Sequence, residues 1–131
     1  MTENYDADFI DLTPIDVEIE GRKFKLKPLN GAEADEITSK FTKFVENPDD
    51  PDNFKTEFNI ALRNSLWLQT CVIDAPYQIN DGSKPWIEHE PKIRLEILNK
   101  LKPKIRNGLL KKIRIMNAAE SDVTKNSKKQ S

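Results

Sequence analysis

Residue types that commonly carry chemistry are scarce in this chain of 131 residues, which has one histidine, one cysteine and four separated glycines. His89 lies between Glu88 and Glu90, but the sequence offers no second histidine or paired cysteines to complete a metal site. Cys71 falls in an apolar segment without a neighbouring base that would activate a thiolate. We therefore predict that Cys71 packs in the core and that His89 is a solvated or capping residue.

Two segments partly resemble cation sites. Residues 77–88 place a glycine and a glutamate at the sixth and twelfth positions of a calcium-binding loop, but Tyr77 and Ile79 occupy the first and third positions, where side-chain oxygen ligands are required. The acidic run DDPD at residues 49–52 is typical of a solvated loop. The sequence thus predicts no catalytic residue, no metal site and no cofactor.

The charge is divided between the two parts of the chain. Residues 1–91 hold 19 acidic and 9 basic side chains, a balance of −10, whereas residues 92–131 hold 12 basic and 3 acidic ones, a balance of +9. Such a distribution favours weak head-to-tail self-association, or opposite faces for different partners. The basic residues alternate with apolar positions, as on a solvated helix face, and no aromatic stacking platform accompanies them, so nucleic acid is the weaker prediction for a partner.

An alternating pattern near the N-terminus predicts a β-hairpin. Val17 and Ile19, then Phe24 and Leu26, alternate with charged residues on either side of Gly21, which can adopt the positive φ of a tight turn. The preceding residues 1–13 are acidic and lack periodicity, so we expect a flexible arm there.

After the hairpin the apolar spacing becomes helical. Asn30 and Glu33 form a capping-box pattern that begins a first helix, which the prolines after Asn47 end. A second helix is predicted over about residues 53–73, and further helices from Pro91. We expect a mainly α fold in which an N-terminal hairpin precedes a small bundle of three to five helices. Residues 14–118 would form one domain, and residues 119–131 a disordered polar tail.

Aromatic residues are the candidates for partner binding. Phe41, Phe44, Trp67 and Trp86 are proposed here as contact residues, in a chain with only 8% aromatic side chains. Trp86, in a loop next to Pro85, has two interpretations: it fills the junction between the second and third helices, which we favour, or it lines a groove for a partner helix.

The sequence also predicts where in the cell the protein is located. The N-terminus has no basic segment followed by an apolar run, as a secretion signal would have, and the longest apolar stretch, near residues 66–68, is far too short to span a membrane. A single cysteine fits a reducing compartment. The sequence predicts a cytoplasmic protein that is not secreted and not membrane-bound.

Two parts of the sequence resemble a known family. The run DVEIEGRKFKLKPLNGAEADEITSKF (residues 16–41) resembles the opening of tail assembly chaperones of long-tailed bacteriophages, in which a strand-turn-strand leads into a first helix through a Leu/Pro joint. The segments LWLQTCVIDAPYQINDG, KPWIEHEP and LEILNKLKPKI are similar to their later part, where a Trp-bearing loop precedes the last helices. The resemblance covers about residues 14–117.

The resemblance implies a non-enzymatic protein of the host cytoplasm. It would bind the hydrophobic helical tape-measure protein, keep it soluble and help to recruit tail-tube subunits. Two alternatives stay open: a structural tail-completion or baseplate protein of the virion, and a small nucleic-acid-binding regulator that uses the basic C-terminal helices.

Overall fold

The computed structural model describes residues 8–50, 52–79, 82 and 84–129, with the side chains of the last helix described through residue 118. The elements follow one another as β1 (Ile15–Ile19), β2 (Arg22–Leu26), α1 (Gly31–Phe41), β3 (Thr42–Glu46), β4 (Phe54–Phe58), α2 (Ile60–Cys71), β5 (Val72–Asp74), a 3-10 turn (Trp86–Glu88), α3 (Pro91–Asn99) and α4 (Pro103–Lys129). The described residues contain five strands as well as four helices, so the fold is α+β and the prediction of a mainly α fold is wrong.

The predicted N-terminal hairpin is confirmed. β1 and β2 pair antiparallel, and both turn residues, Glu20 and Gly21, have positive φ, as a two-residue hairpin turn requires. Phe24 and Leu26 face the core, whereas the opposite face of the hairpin places Asp16 across from Lys25. The alternation in the sequence therefore separates a buried face from a charged, solvated one.

A third strand extends this sheet, and the sequence does not predict it. α2 ends at Cys71, and Val72–Asp74 pairs antiparallel with β2, giving the strand order β1-β2-β5. The β-branched residues Val72 and Ile73 lose more side-chain freedom in a helix than in a strand, and β2 offers an unpaired edge at this point. Pairing with β2 thus overrides the helical spacing that predicts a helix through residue 73.

A second hairpin replaces the ends of two predicted helices. α1 ends at Phe41, and the next five residues form β3, which pairs antiparallel with β4 at residues 54–58. FKTEF alternates charged with apolar or β-branched residues, and TKFVE contains two β-branched residues and a phenylalanine, which are residue types that suit strands. The prediction that the first helix continues to the prolines after Asn47 is therefore wrong: α1 ends at Phe41, and Pro48 lies in the turn that follows β3.

The core lies between the three-stranded sheet and helices α2, α3 and α4. Its fully buried large side chains come from each of these elements and are Leu26, Leu68, Leu98, Leu109 and Ile113. Among the residues whose side chains are described, Arg94 is the buried charged one. Its Nε donates a hydrogen bond to the His89 carbonyl, and one Nη donates to Gln69 O near the C-terminal end of α2. The guanidinium therefore donates hydrogen bonds to carbonyl oxygens of two segments. Its positive charge lies near the negative end of the α2 dipole, which stabilises it.

The last helix differs from the predicted disordered tail. α4 continues through Lys129, whereas the composition predicts disorder from residue 119. A helix that is already nucleated adds each further residue at low cost, and the segment contains Ala, Glu and Lys, which are good helix formers. Of the predicted acidic arm, residues 1–7 lie outside the described residues, as do residues 130 and 131 of the tail. No helix among the described residues is both long and apolar enough to cross a membrane.

Candidate partner-binding surface

The β3–β4 hairpin presents three phenylalanines on one face. Directly opposed residues of an antiparallel pair share a face, and the register pairs Thr42 with Phe58, Phe44 with Thr56 and Glu46 with Phe54. Phe44, Phe54 and Phe58 therefore project to the same side of the hairpin, with Phe44 diagonal to the other two. We call the side formed by these three residues the aromatic face.

The aromatic face is open to solvent. Phe44, Phe54 and Phe58 are 70%, 69% and 59% exposed, and Ile60 at the start of α2 is also exposed beside the root of the hairpin. Diagonal neighbours on one sheet face lie about 7–8 Å apart, so the three rings form a continuous patch rather than scattered residues. A single exposed apolar residue is ordinary, but a contiguous apolar patch is typical of a surface that contacts another molecule.

The other side of the hairpin has a different character. On this side Lys43 lies opposite Glu57, a pair of opposite charges, and Val45 lies opposite Lys55. The three charged residues of this side are exposed, and Val45 is half-buried. The hairpin is therefore amphipathic, although its apolar side is not turned towards the core.

The root of the hairpin is joined to the helical body. The rings of Phe41, the last residue of α1, and Phe58 lie 6.1 Å apart and are tilted by 45°. The Asn59 amide donates a 2.7 Å hydrogen bond to Phe41 O, and the Asn59 side chain caps α2 by accepting from Leu62 N. These contacts hold the start of the hairpin at the junction of α1 and α2.

The tip of the hairpin is acidic. Asp50 N donates to Asn47 O at 3.1 Å, and Asn53 Nδ2 donates to an Asp50 carboxylate oxygen at 2.6 Å, so hydrogen bonds within the turn order it. The exposed carboxylates at this end are those of Glu46, Asp49, Asp50 and Asp52. The sequence has no lysine or arginine from residue 46 to residue 54, so this end of the hairpin is negative.

The four predicted contact residues lie in three different places. Phe41 and Phe44 belong to the hairpin and its root. Trp67 is half-buried on α2, with the Arg63 guanidinium 4.3 Å from the centre of its ring. Trp86 is only 5% exposed, and its Nε1 donates a 3.3 Å hydrogen bond to Val72 O, so it fills the junction and offers little surface to a partner.

Phe54 and Phe58 are not among the predicted contact residues, and the predicted second helix, over about residues 53–73, includes both of them. They lie four residues apart, which fits one face of a helix and equally the same side of a strand. The period-two pattern of FKTEF, next to a turn rich in Pro and Asp, is the signal that indicates a strand.

Trp67 lines a separate basic groove between α2 and α4. The groove has a volume of about 200 Å³ and is lined by Arg63, Asn64, Trp67, Asn107, Leu110, Lys111 and Arg114. Trp67 and Leu110 give it some apolar surface, and three of its lining residues, Arg63, Lys111 and Arg114, are cations. An acidic segment with a single apolar side chain has the chemistry to occupy it.

Cys71 and the His, Asp and Glu residues have side chains that could act as a nucleophile or bind a metal. Burial raises the pKa of the fully buried Cys71 thiol to about 12, which holds it protonated and unreactive at neutral pH. Among the described residues, no three His, Cys, Asp or Glu side chains come together as metal ligands.

No protein-family model matches the chain, and the curated proteins and the solved structures give no significant match to it.

Proposed function

We propose that this protein is a non-enzymatic assembly chaperone of a long-tailed phage, which acts in the cytoplasm of the host. It binds the hydrophobic helical tape-measure protein, keeps it soluble and helps to recruit tail-tube subunits. The observation that carries the proposal is the aromatic face, where three phenylalanines remain exposed on an ordered hairpin. A soluble domain rarely leaves such a patch uncovered unless another molecule contacts it.

The sequence resemblance over residues 14–117 supports this choice of partner. The hairpin at residues 15–26 followed by a capped helix at Asn30 agrees with the arrangement that the resemblance implies. A tape-measure protein is a long helix with much apolar surface, and an exposed apolar face is suited to shielding such a surface from water.

Weak self-association is a further part of the proposal. The acidic tip of the hairpin and the basic groove beside Trp67 have complementary charge and lie in different parts of the chain, so one copy can contact the next head to tail. Attraction between such charges reaches about 8 Å at physiological salt, so the association should weaken as salt is added.

Co-expression tests the function directly. The tape-measure protein of the same genome is expressed alone and together with this chain, and its soluble fraction is measured. We expect a several-fold gain in soluble tape-measure protein. An equal soluble fraction in both cases would refute the chaperone function, and recovery of this chain in purified phage particles would favour a structural virion protein instead.

A further inference from the structure

We propose that the aromatic face is the docking surface for an amphipathic helix about three turns long, with an apolar stripe and basic residues at the end that meets the acidic tip. This inference rests on the proposed function and adds to it the binding surface and the chemistry of the segment that is bound.

The dimensions of the aromatic face fit a short helical segment. Phe54 and Phe58 are four strand residues apart, a distance of about 14 Å at 3.4 Å per residue. That length corresponds to about two and a half turns of an α-helix at 5.4 Å per turn. With Phe44 between them, the three rings can contact apolar side chains at positions i, i+4 and i+7 of one helix face.

A helix covers this surface better than a strand does. An added strand would pair with the free backbone groups at an edge of the hairpin and extend the sheet sideways. The aromatic face would then stay in water, because strand pairing does not cover the face of a sheet. A helix that lies on the face buries all three rings, as helices do when they pack on sheets within domains.

The acidic tip determines the charge of the partner. Asp49, Asp50 and Asp52 are exposed in the turn beyond the end of the aromatic face, and the exposed Glu46 lies opposite Phe54 at that end. Residues 46–54 contain no lysine or arginine. A helix lying along the strands would have one end next to these carboxylates. Lysine or arginine at that end would be attracted, whereas glutamate or aspartate would be repelled.

A second copy of the chain is a poorer occupant of the aromatic face. Its α4 helix has the basic charge that the tip requires, but the apolar stripe of α4, formed by Ile105, Leu109 and Ile113, is buried in its own core. Of the large apolar side chains described on α4, Ile115 is strongly exposed, and one residue cannot cover three rings. The basic groove beside Trp67 holds about 200 Å³, room for roughly one side chain.

A peptide-binding experiment with the full chain tests the proposal. The probe is a fluorescent 18-residue helical peptide with leucines at i, i+3, i+4 and i+7 and lysines at one end; a second peptide has glutamates in place of the lysines. Binding is followed by fluorescence anisotropy. The test variant is Phe44→Ser/Phe54→Ser, and the matched control is Phe9→Ser/Ile115→Ser, which removes two exposed apolar side chains elsewhere.

The expected results separate the surface from general hydrophobicity. The lysine peptide should bind the test variant on the order of 100-fold more weakly than the unaltered chain, because two buried anchors are lost, and it should bind the control equally well. The glutamate peptide should bind the unaltered chain more weakly at low salt, and Asp49→Asn/Asp50→Asn should reduce that preference. Circular dichroism of each variant checks that the body keeps its fold.

Three outcomes would overturn the inference: equal binding to the test variant, no preference for lysine over glutamate, or a Phe44/Phe54-dependent dimer that the peptide fails to dissociate. Co-expression distinguishes this failure from failure of the proposed function. If Phe44→Ser/Phe54→Ser still keeps the tape-measure protein soluble, the chaperone function stands and the docking surface is wrong. If the unaltered chain does not keep it soluble, the proposed function itself fails.

Discussion

Gly108 of α4 lies directly against Ile19 of β1. A Cβ atom built on Gly108 would be 2.8 Å from Ile19 Cγ2, closer than real Cβ contacts allow. The absence of a side chain at residue 108 therefore lets the last helix pack closely on the first strand. The isolated Gly108 of the sequence thus has a packing role in a helix interior, where glycine otherwise lowers stability.

Gly108→Ala should lower the free energy of unfolding by about 1–2 kcal/mol. Alanine in an exposed helix would add about 1 kcal/mol of stability, but here the overpacking against Ile19, a stiff β-branched side chain, opposes that gain and exceeds it. Urea unfolding measures the difference. Gly31→Ala is the matched control, because no atom lies within 4 Å of its added Cβ, and it should be neutral or stabilising. A stabilised Gly108→Ala variant would contradict the close packing of α4 on β1.

Leu68→Ala should lower the free energy of unfolding by about 2–5 kcal/mol, since Leu68 is fully buried at the centre of the core and its loss leaves a cavity. Leu62→Ala on the same helix is the control. Leu62 is 37% exposed, so its truncation should cost about 1 kcal/mol or less. If thermal or urea melts showed that both variants lose the same free energy of unfolding, Leu68 would not lie on the side of α2 that packs in the core.

The Lys27–Glu33 pair should make stability depend on acid pH. Partial burial alone would raise the pKa of Glu33, but its hydrogen bonds from Lys27 Nζ, at 2.8 and 2.9 Å, and from Asn30 N outweigh this, and the net pKa is lowered. A carboxylate with a lowered folded-state pKa stabilises the fold above its ordinary pKa, and this contribution is lost as the pH falls through the folded-state value.

The measurement is urea unfolding of the unaltered chain and of Glu33→Gln at about pH 7 and about pH 3. Glu33→Gln should be less stable at neutral pH, and the difference should shrink in acid, as the pH falls towards the lowered folded-state pKa and Glu33 of the unaltered chain begins to take up a proton. Glu36→Gln is the control, because the Glu36–Lys40 pair is exposed and such pairs contribute little. If the two proteins differed in free energy of unfolding by the same amount at both pH values, Glu33 would not be the group that makes stability depend on acid pH.

Local patterns in the sequence predict the first hairpin and the start of α1 correctly. Gly21 indicates the turn, and the capping box predicted at Asn30 and Glu33 is present, with reciprocal hydrogen bonds of 2.8 and 3.1 Å. These features depend on residues close in sequence, so no long-range contact is needed to recognise them.

The second hairpin and β5 depend on pairing with another strand, which local patterns do not show. Phe41, Phe44 and Val45 fit a helix as well as they fit a helix end followed by a strand, and only pairing with residues 54–58 decides between the two. β5 likewise depends on the edge of β2, which is 46 residues away between Leu26 and Val72. The partner surface was missed in part for the same reason, since the exposure of Phe54 and Phe58 follows from the strand assignment.

The final prediction separates the roles of the two tryptophans. Trp86→Phe should lower the free energy of unfolding by about 1 kcal/mol or more, because Val72 O loses its buried hydrogen bond from Nε1 and part of the junction is left unfilled. Trp67→Phe should have a smaller effect, because Trp67 is only half-buried. Neither variant should change binding of the lysine peptide, since neither side chain belongs to the aromatic face. If Trp86→Phe kept full stability but lost peptide binding, Trp86 would line a partner groove after all, and the interpretation that it fills the junction would be wrong.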